Sequence, residues 1–110
     1  MGLSTHVLDT ARGKPAQGIA VTVKRELTPG LWEIAAQGVT DADGRVKPLL
    51  AEVHAGAYKL TFELDAYFAA QGQAAFYPQA TVVFRVTQPG DHYHIPLLLS
   101  PFGYATYRGS

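Results

Sequence analysis

Apolar and polar residues alternate along most of this chain. Ile19, Val21 and Val23 alternate with Ala20, Thr22 and Lys24, and Tyr58, Leu60, Phe62 and Leu64 alternate with Lys59, Thr61, Glu63 and Asp65. Val82, Phe84 and Val86 repeat the pattern against Thr81, Val83 and Arg85. A period of two sends successive side chains to opposite faces, so each run predicts a strand with one dry face and one wet one. Further strands are expected over residues 3–9, 32–39 and 92–99. Turn signals separate them at Gly13-Lys14-Pro15, Thr28-Pro29-Gly30, Asp43-Gly44, Ala55-Gly56 and Gln88-Pro89-Gly90. Short strands with turns this regular predict an all-β, two-sheet sandwich.

One segment departs from the period. Residues 65–75 are rich in Ala and Gln, with Tyr67 and Phe68 one turn below Gln71 and Gln73, and predict one short surface helix between two strands. No repeat, low-complexity tract or linker interrupts the chain, so residues 1–110 read as a single domain. From His92 to Tyr107 there is no charged residue, yet Leu97, Leu98 and Leu99 run together among Tyr93, Phe102 and Tyr104. A strand apolar on both faces has to be covered on both. The opposite sheet covers one face; a second copy of the chain is expected on the other, with the short helix as the competing cover.

Composition narrows the function. Nine Lys+Arg balance nine Asp+Glu in 110 residues, which argues against a nucleic-acid face and against a polybasic membrane anchor. The chain is 47% hydrophobic and only 16% charged, so it folds rather than staying disordered. Without cysteine there is no disulfide framework, no thiolate metal site and no thiol nucleophile. No run is apolar enough for a membrane helix. The first residues have no signal-peptide pattern, giving a cytoplasmic expectation, or a periplasmic one if a leader has been removed.

Four histidines are candidates for chemistry. His54, beside Ala55-Gly56, reads as a loop residue. His92 and His94 share one face of a strand by parity, so both imidazoles can meet one ligand. His-x-His is also a zinc spacing, but a catalytic zinc wants a third ligand, from His6, His54 or a carboxylate, and no second ligand pair exists. The metal reading is therefore the weaker one. Asp41, Asp43 and Gly44 sit at the wrong spacing for a calcium loop. Arg45 by itself reads as a solvated arginine after a tight turn. The tail 106–110 reads as a frayed end unless the uncharged segment before it holds it down.

Larger blocks carry a resemblance. The runs Leu3-Ser4-Thr5-His6-Val7-Leu8-Asp9-Thr10, Gly13-Lys14-Pro15-Ala16 and Asp43-Gly44-Arg45 come first. His92-Tyr93-His94-Ile95-Pro96-Leu97-Leu98-Leu99-Ser100-Pro101 and Tyr104-Ala105-Thr106-Tyr107-Arg108-Gly109-Ser110 follow. Together they resemble the 5-hydroxyisourate hydrolases, also called transthyretin-related proteins, across essentially the whole chain. The last two runs are the specific ones; Gly-x-Pro-Ala and Asp-Gly-Arg also occur in unrelated sandwiches. The resemblance implies a prealbumin-like β-sandwich, a homotetramer built as a dimer of dimers, and sites in the channel between dimers. It implies ring-opening hydrolysis of 5-hydroxyisourate in urate breakdown, without metal or cofactor. It places His6, Arg45 and His94 at catalytic positions, and Tyr107, Arg108, Gly109 and Ser110 at the substrate-contacting end; His92, by strand parity with His94, is expected to support at most. The alternatives are a transthyretin-like small-molecule carrier and a structural sandwich module.

Overall fold

The computed structural model describes residues 2–110. The described chain forms strands β1 (Leu3–Asp9), β2 (Lys14–Pro15), β3 (Ala20–Thr28), β4 (Leu31–Val39), β5 (Arg45–Leu50) and β6 (Gly56–Glu63). Helix α1 (Asp65–Ala69) follows, then β7 (Gln79–Val86), β8 (Tyr93–Ser100) and β9 (Gly103–Thr106). One sheet runs β4-β3-β6-β7 and is antiparallel throughout. The other runs β2-β1-β8-β9, with β5 alongside β2 on the same flank of β1. Within it, β1 pairs in parallel with β8 over its whole length, Leu3 opposite Tyr93 through Asp9 opposite Leu99.

The two inner faces are the alternating sets read from the sequence. Val21, Val23, Leu60 and Phe62 from one sheet meet Leu3, Val7, Leu97 and Leu99 from the other, all fully buried. Removing such side chains from water stabilises by about 1.5–3 kcal/mol each, which is what makes the alternation decisive. The inner face of β1 also buries two polar residues. Thr5 Oγ1 donates to the Ile95 carbonyl at 2.6 Å. Asp9 accepts from the Arg12 N–H at 3.0 Å and from the Tyr67 hydroxyl at 2.7 Å.

The helix is shorter than the 65–75 expected. It ends at Ala69; Gly72 then takes a positive φ of 67° and the chain turns out of the helix. Its buried residue, Phe68, joins the sandwich core, and Tyr67 ties it to the inner face of β1. It therefore caps one end of the core and leaves the outer face of the β1–β8 sheet to other cover. Strand β8 begins at Tyr93, one residue after the expected start, because the 88–91 turn places Asp91 N–H on the Gln88 carbonyl. Strand β5 was not foreseen: Pro48 interrupts its alternation, which a strand at a sheet edge tolerates. No helix among the described residues is long and apolar enough to cross a membrane.

Candidate active site

Parity sends two kinds of side chain to opposite faces of β1. Leu3, Thr5, Val7 and Asp9 point into the sandwich, so Ser4, His6 and Leu8 lie on the outer face. On β8, Tyr93, Ile95, Leu97 and Leu99 point inward, leaving His94, Pro96 and Leu98 outward. The parallel register sets Ser4 opposite His94 and His6 opposite Pro96. On the other flank of β1, the antiparallel register sets His6 opposite Arg45. Two inter-strand pairings thus bring residues from near the start, middle and end of the chain to one outer face.

The turn before β5 delivers Arg45. Asp41 Oδ1 accepts from the Asp43 N–H at 2.8 Å and from the Arg45 N–H at 3.0 Å, and the Gly44 N–H reaches the Asp41 carbonyl at 2.9 Å. Gly44 sits at φ 75°, where a side chain is strained, and its carbonyl accepts from the Val7 N–H at 2.7 Å. The loop is stitched to β1 one residue past His6. Arg45 is half-buried there rather than loose in solvent.

Ser4, only 4% exposed, joins the histidine pair. Its Oγ lies 2.8 Å from His92 Nε2 and 2.8 Å from His94 Nδ1. The i, i+2 spacing does place both imidazoles on one face, and a serine on the neighbouring strand is what they share. The other flank of the His94 ring is taken by the tail. A Cβ on Gly109 would lie 2.6 Å from His94 Cδ2, so only glycine lets the backbone approach this closely. With Nδ1 turned to Ser4 and Cδ2 to Gly109, Nε2 is the far end of the ring. Burial pushes the His94 pKa below its ordinary 6.5, and the Arg45 and Lys47 cations, with the basic imidazoles of His6 and His92, push it further down.

The tail is held rather than frayed. Gly109 bridges to His94, its N–H on the His94 carbonyl at 2.8 Å. Thr106 Oγ1 donates to the Pro96 carbonyl at 2.7 Å. Arg108 lies over the Tyr93 ring, 4.4 Å from its centroid, and 3.6 Å from Asp91. Its guanidinium thus has protein partners of its own, a cation–π contact and an ion pair. Tyr107 and Ser110 are exposed. His54 stands apart in the loop before β6, its backbone N–H on the Tyr58 hydroxyl at 3.0 Å.

Two residues of this face were missed in the sequence: Ser4 and Lys47. Each sits two positions from a residue that was singled out, His6 and Arg45, so strand parity was the available signal. Among the described residues, no three His, Asp or Glu side chains gather as a metal-ligating group. The arrangement offers a histidine lone pair within electrostatic reach of the Arg45 and Lys47 cations, a combination suited to moving a proton while holding developing negative charge. A hollow of about 590 Å³ lies elsewhere, lined by Arg12, Lys14 and Gln17 on one side and Tyr67 and Gln71 on the other.

The sequence profile of the HIUase/Transthyretin family matches residues 3–109. A mouse protein named 5-hydroxyisourate hydrolase is 45% identical, over 98% of this chain and 94% of its own length. The structure of Klebsiella pneumoniae 5-hydroxyisourate hydrolase superposes with a TM-score of 0.87 at 41% identity, covering all of both chains. Sea bream transthyretin in complex with thyroxine superposes with a TM-score of 0.93 at 38% identity, covering 99% of this chain and 95% of that one.

Proposed function

Because the chain belongs to the HIUase/Transthyretin family, we propose that it is an enzyme that hydrolyses 5-hydroxyisourate, opening the six-membered ring. The observation that carries the reading is the outer-face cluster: His94 flanked by Ser4 and Gly109, with His6 opposite Arg45 on the adjoining strand pair. Relatives over 40% identical across the whole chain carry the hydrolase name.

Ring opening adds water to an amide-type carbonyl. It needs a base, a stabiliser of the tetrahedral oxyanion, and a proton for the leaving nitrogen. A histidine whose pKa lies below 6.5 is neutral at pH 7 and free to accept the water's proton. Such base catalysis is worth about 10²–10⁴-fold. In this proposal His94 and His6 position and deprotonate the water, and one of them returns the proton to the departing nitrogen. Arg45 supplies a forked, permanently charged donor to the ring's urea-like edge and to the oxyanion. Tyr107 and the tail through Ser110 close the site, with Arg108 anchoring that tail on Tyr93 and Asp91. No step runs through a metal, so activity is expected to survive exhaustive chelation.

The same reading makes the active form a homotetramer, two dimers facing across a channel. Its support is the outer face itself, where Leu8 and Leu98 are only half-buried among the polar groups. We place the enzyme in the cytoplasm, where subcellular fractionation tests it.

A carrier is the second reading, favoured by the transthyretin that superposes so closely with thyroxine bound. The discriminating experiment generates 5-hydroxyisourate from urate and follows the decay of its ultraviolet absorbance. Acceleration by the protein, lost in His94→Ala while assembly persists, is the expected result. Decay at the spontaneous rate would leave the carrier reading in its place.

A further inference from the structure

We propose that Ser4 and His92 are positioning residues that hold His94 in a single tautomer, its proton on Nδ1 and the lone pair of Nε2 free for the reacting water. The inference rests on the hydrolase reading and deepens it at the same site. Ser4 Oγ is 2.8 Å from His94 Nδ1 and 2.8 Å from His92 Nε2. A serine hydroxyl carries one proton, so it donates to at most one of these nitrogens, and at least one ring must donate its own N–H to Oγ. Two arrangements of neutral rings satisfy both contacts and also give the hydroxyl proton of the nearly buried Ser4 an acceptor. In the first, His94 Nδ1–H donates to Oγ and Oγ–H donates to His92 Nε2. In the second the direction reverses, and His94 carries its proton on Nε2.

The surroundings of the two rings select the first. His92 is exposed, so water satisfies its Nδ1 equally well as donor or acceptor. His92 therefore has no preference to impose. His94 is half-buried on a face that also carries the Arg45 and Lys47 cations. A nitrogen lone pair is attracted by those positive groups, whereas an N–H dipole pointing among them is repelled. The ring has no room to swing and exchange its nitrogens, because Ser4 fixes one flank and Gly109 the other. Ser4 itself is nearly excluded from water, so the two imidazoles are its partners rather than solvent.

The experiment is ¹⁵N NMR of the imidazole nitrogens in the full-length protein at about pH 8, where histidine is neutral, read alongside steady-state kinetics on 5-hydroxyisourate. Wild-type His94 is expected to show a protonated Nδ1 and a bare Nε2. Ser4→Ala removes the acceptor, and His92→Ala frees the serine proton to turn toward His94 Nδ1; each is expected to move His94 toward the Nε2–H form. Each lowers kcat by roughly 10–10²-fold with KM nearly unchanged, and the double variant is no worse than the poorer single one. A wild-type His94 protonated on Nε2 would overturn the proposal, as would a Ser4→Ala variant that keeps both tautomer and kcat. A wild type that fails to turn over 5-hydroxyisourate would instead sink the hydrolase reading, and the NMR signature would still decide the tautomer.

Discussion

One missing carbon atom brings the tail against His94. A Cβ on Gly109 would press into the imidazole edge, while the rest of the tail is tied down at Thr106 and Arg108 and has little freedom to retreat. Gly109→Ala is therefore expected to displace the His94 ring and cut kcat/KM by about 10²-fold, the usual result of an ångström-scale misplacement. Its melting curve should stay close to wild type, since the contact is on the sheet's outer face. Titration belongs to the same scale. A free-enzyme base with a pKa lowered from 6.5 stays deprotonated to lower pH, so the acid limb of kcat/KM should fall below pH 6.5. Neutralising one of the cations that lowers it, as in Lys47→Met, should move that limb upward, measured in a pH–rate series on the unchanged substrate.

The helix illustrates how one side chain can fasten an element. Tyr67 reaches from α1 to the buried carboxylate of Asp9, whose other partner is the Arg12 N–H. Tyr67→Phe leaves a buried acceptor underpaired and should cost about 1–3 kcal/mol in urea unfolding. Burial, then the bond to Asp9, raises the Tyr67 pKa above 10.0. The unfolded chain thus loses that proton first, so stability falls as pH rises past 10.0, and the phenylalanine variant should lack that part of the decline. This fastening was invisible in the sequence, because Asp9 lies on the inner parity of β1 where polar residues are unusual. The strands themselves were legible wherever one face is dry: Val21, Leu60 and Phe62 point where the alternation sends them, and β1 spans the 3–9 expected of it. Strand β5 is not legible because Pro48 breaks the period, and the expected helix overruns the real one because Ala and Gln say nothing about where Gly72 turns the chain.

For the whole molecule, the half-buried leucines of the outer face are the feature that asks for a second copy. Light scattering is expected to return the mass of four chains, and a charge placed at the half-buried Leu98, as in Leu98→Lys, is expected to split the assembly with loss of turnover. The site at this scale was half legible. His6, Arg45 and His94 stood out through their blocks of resembling sequence, but their meeting depends on which strands pair and in what register. A serine in a strand carries no signal of its own, so Ser4 became visible only when β1 lay beside β8.

That pairing has a temporal consequence. Ser4 and His94 stand 90 positions apart, and the strands that carry them run in the same direction, so no hairpin brings them together early. Contacts that close so long a loop form late and slowly. During synthesis β1 waits beside the ribosome with one edge unclaimed, until nearly all the remaining chain has emerged. Refolding experiments should then find catalysis returning in step with amide protection of residues 3–9, after the antiparallel sheet has already formed.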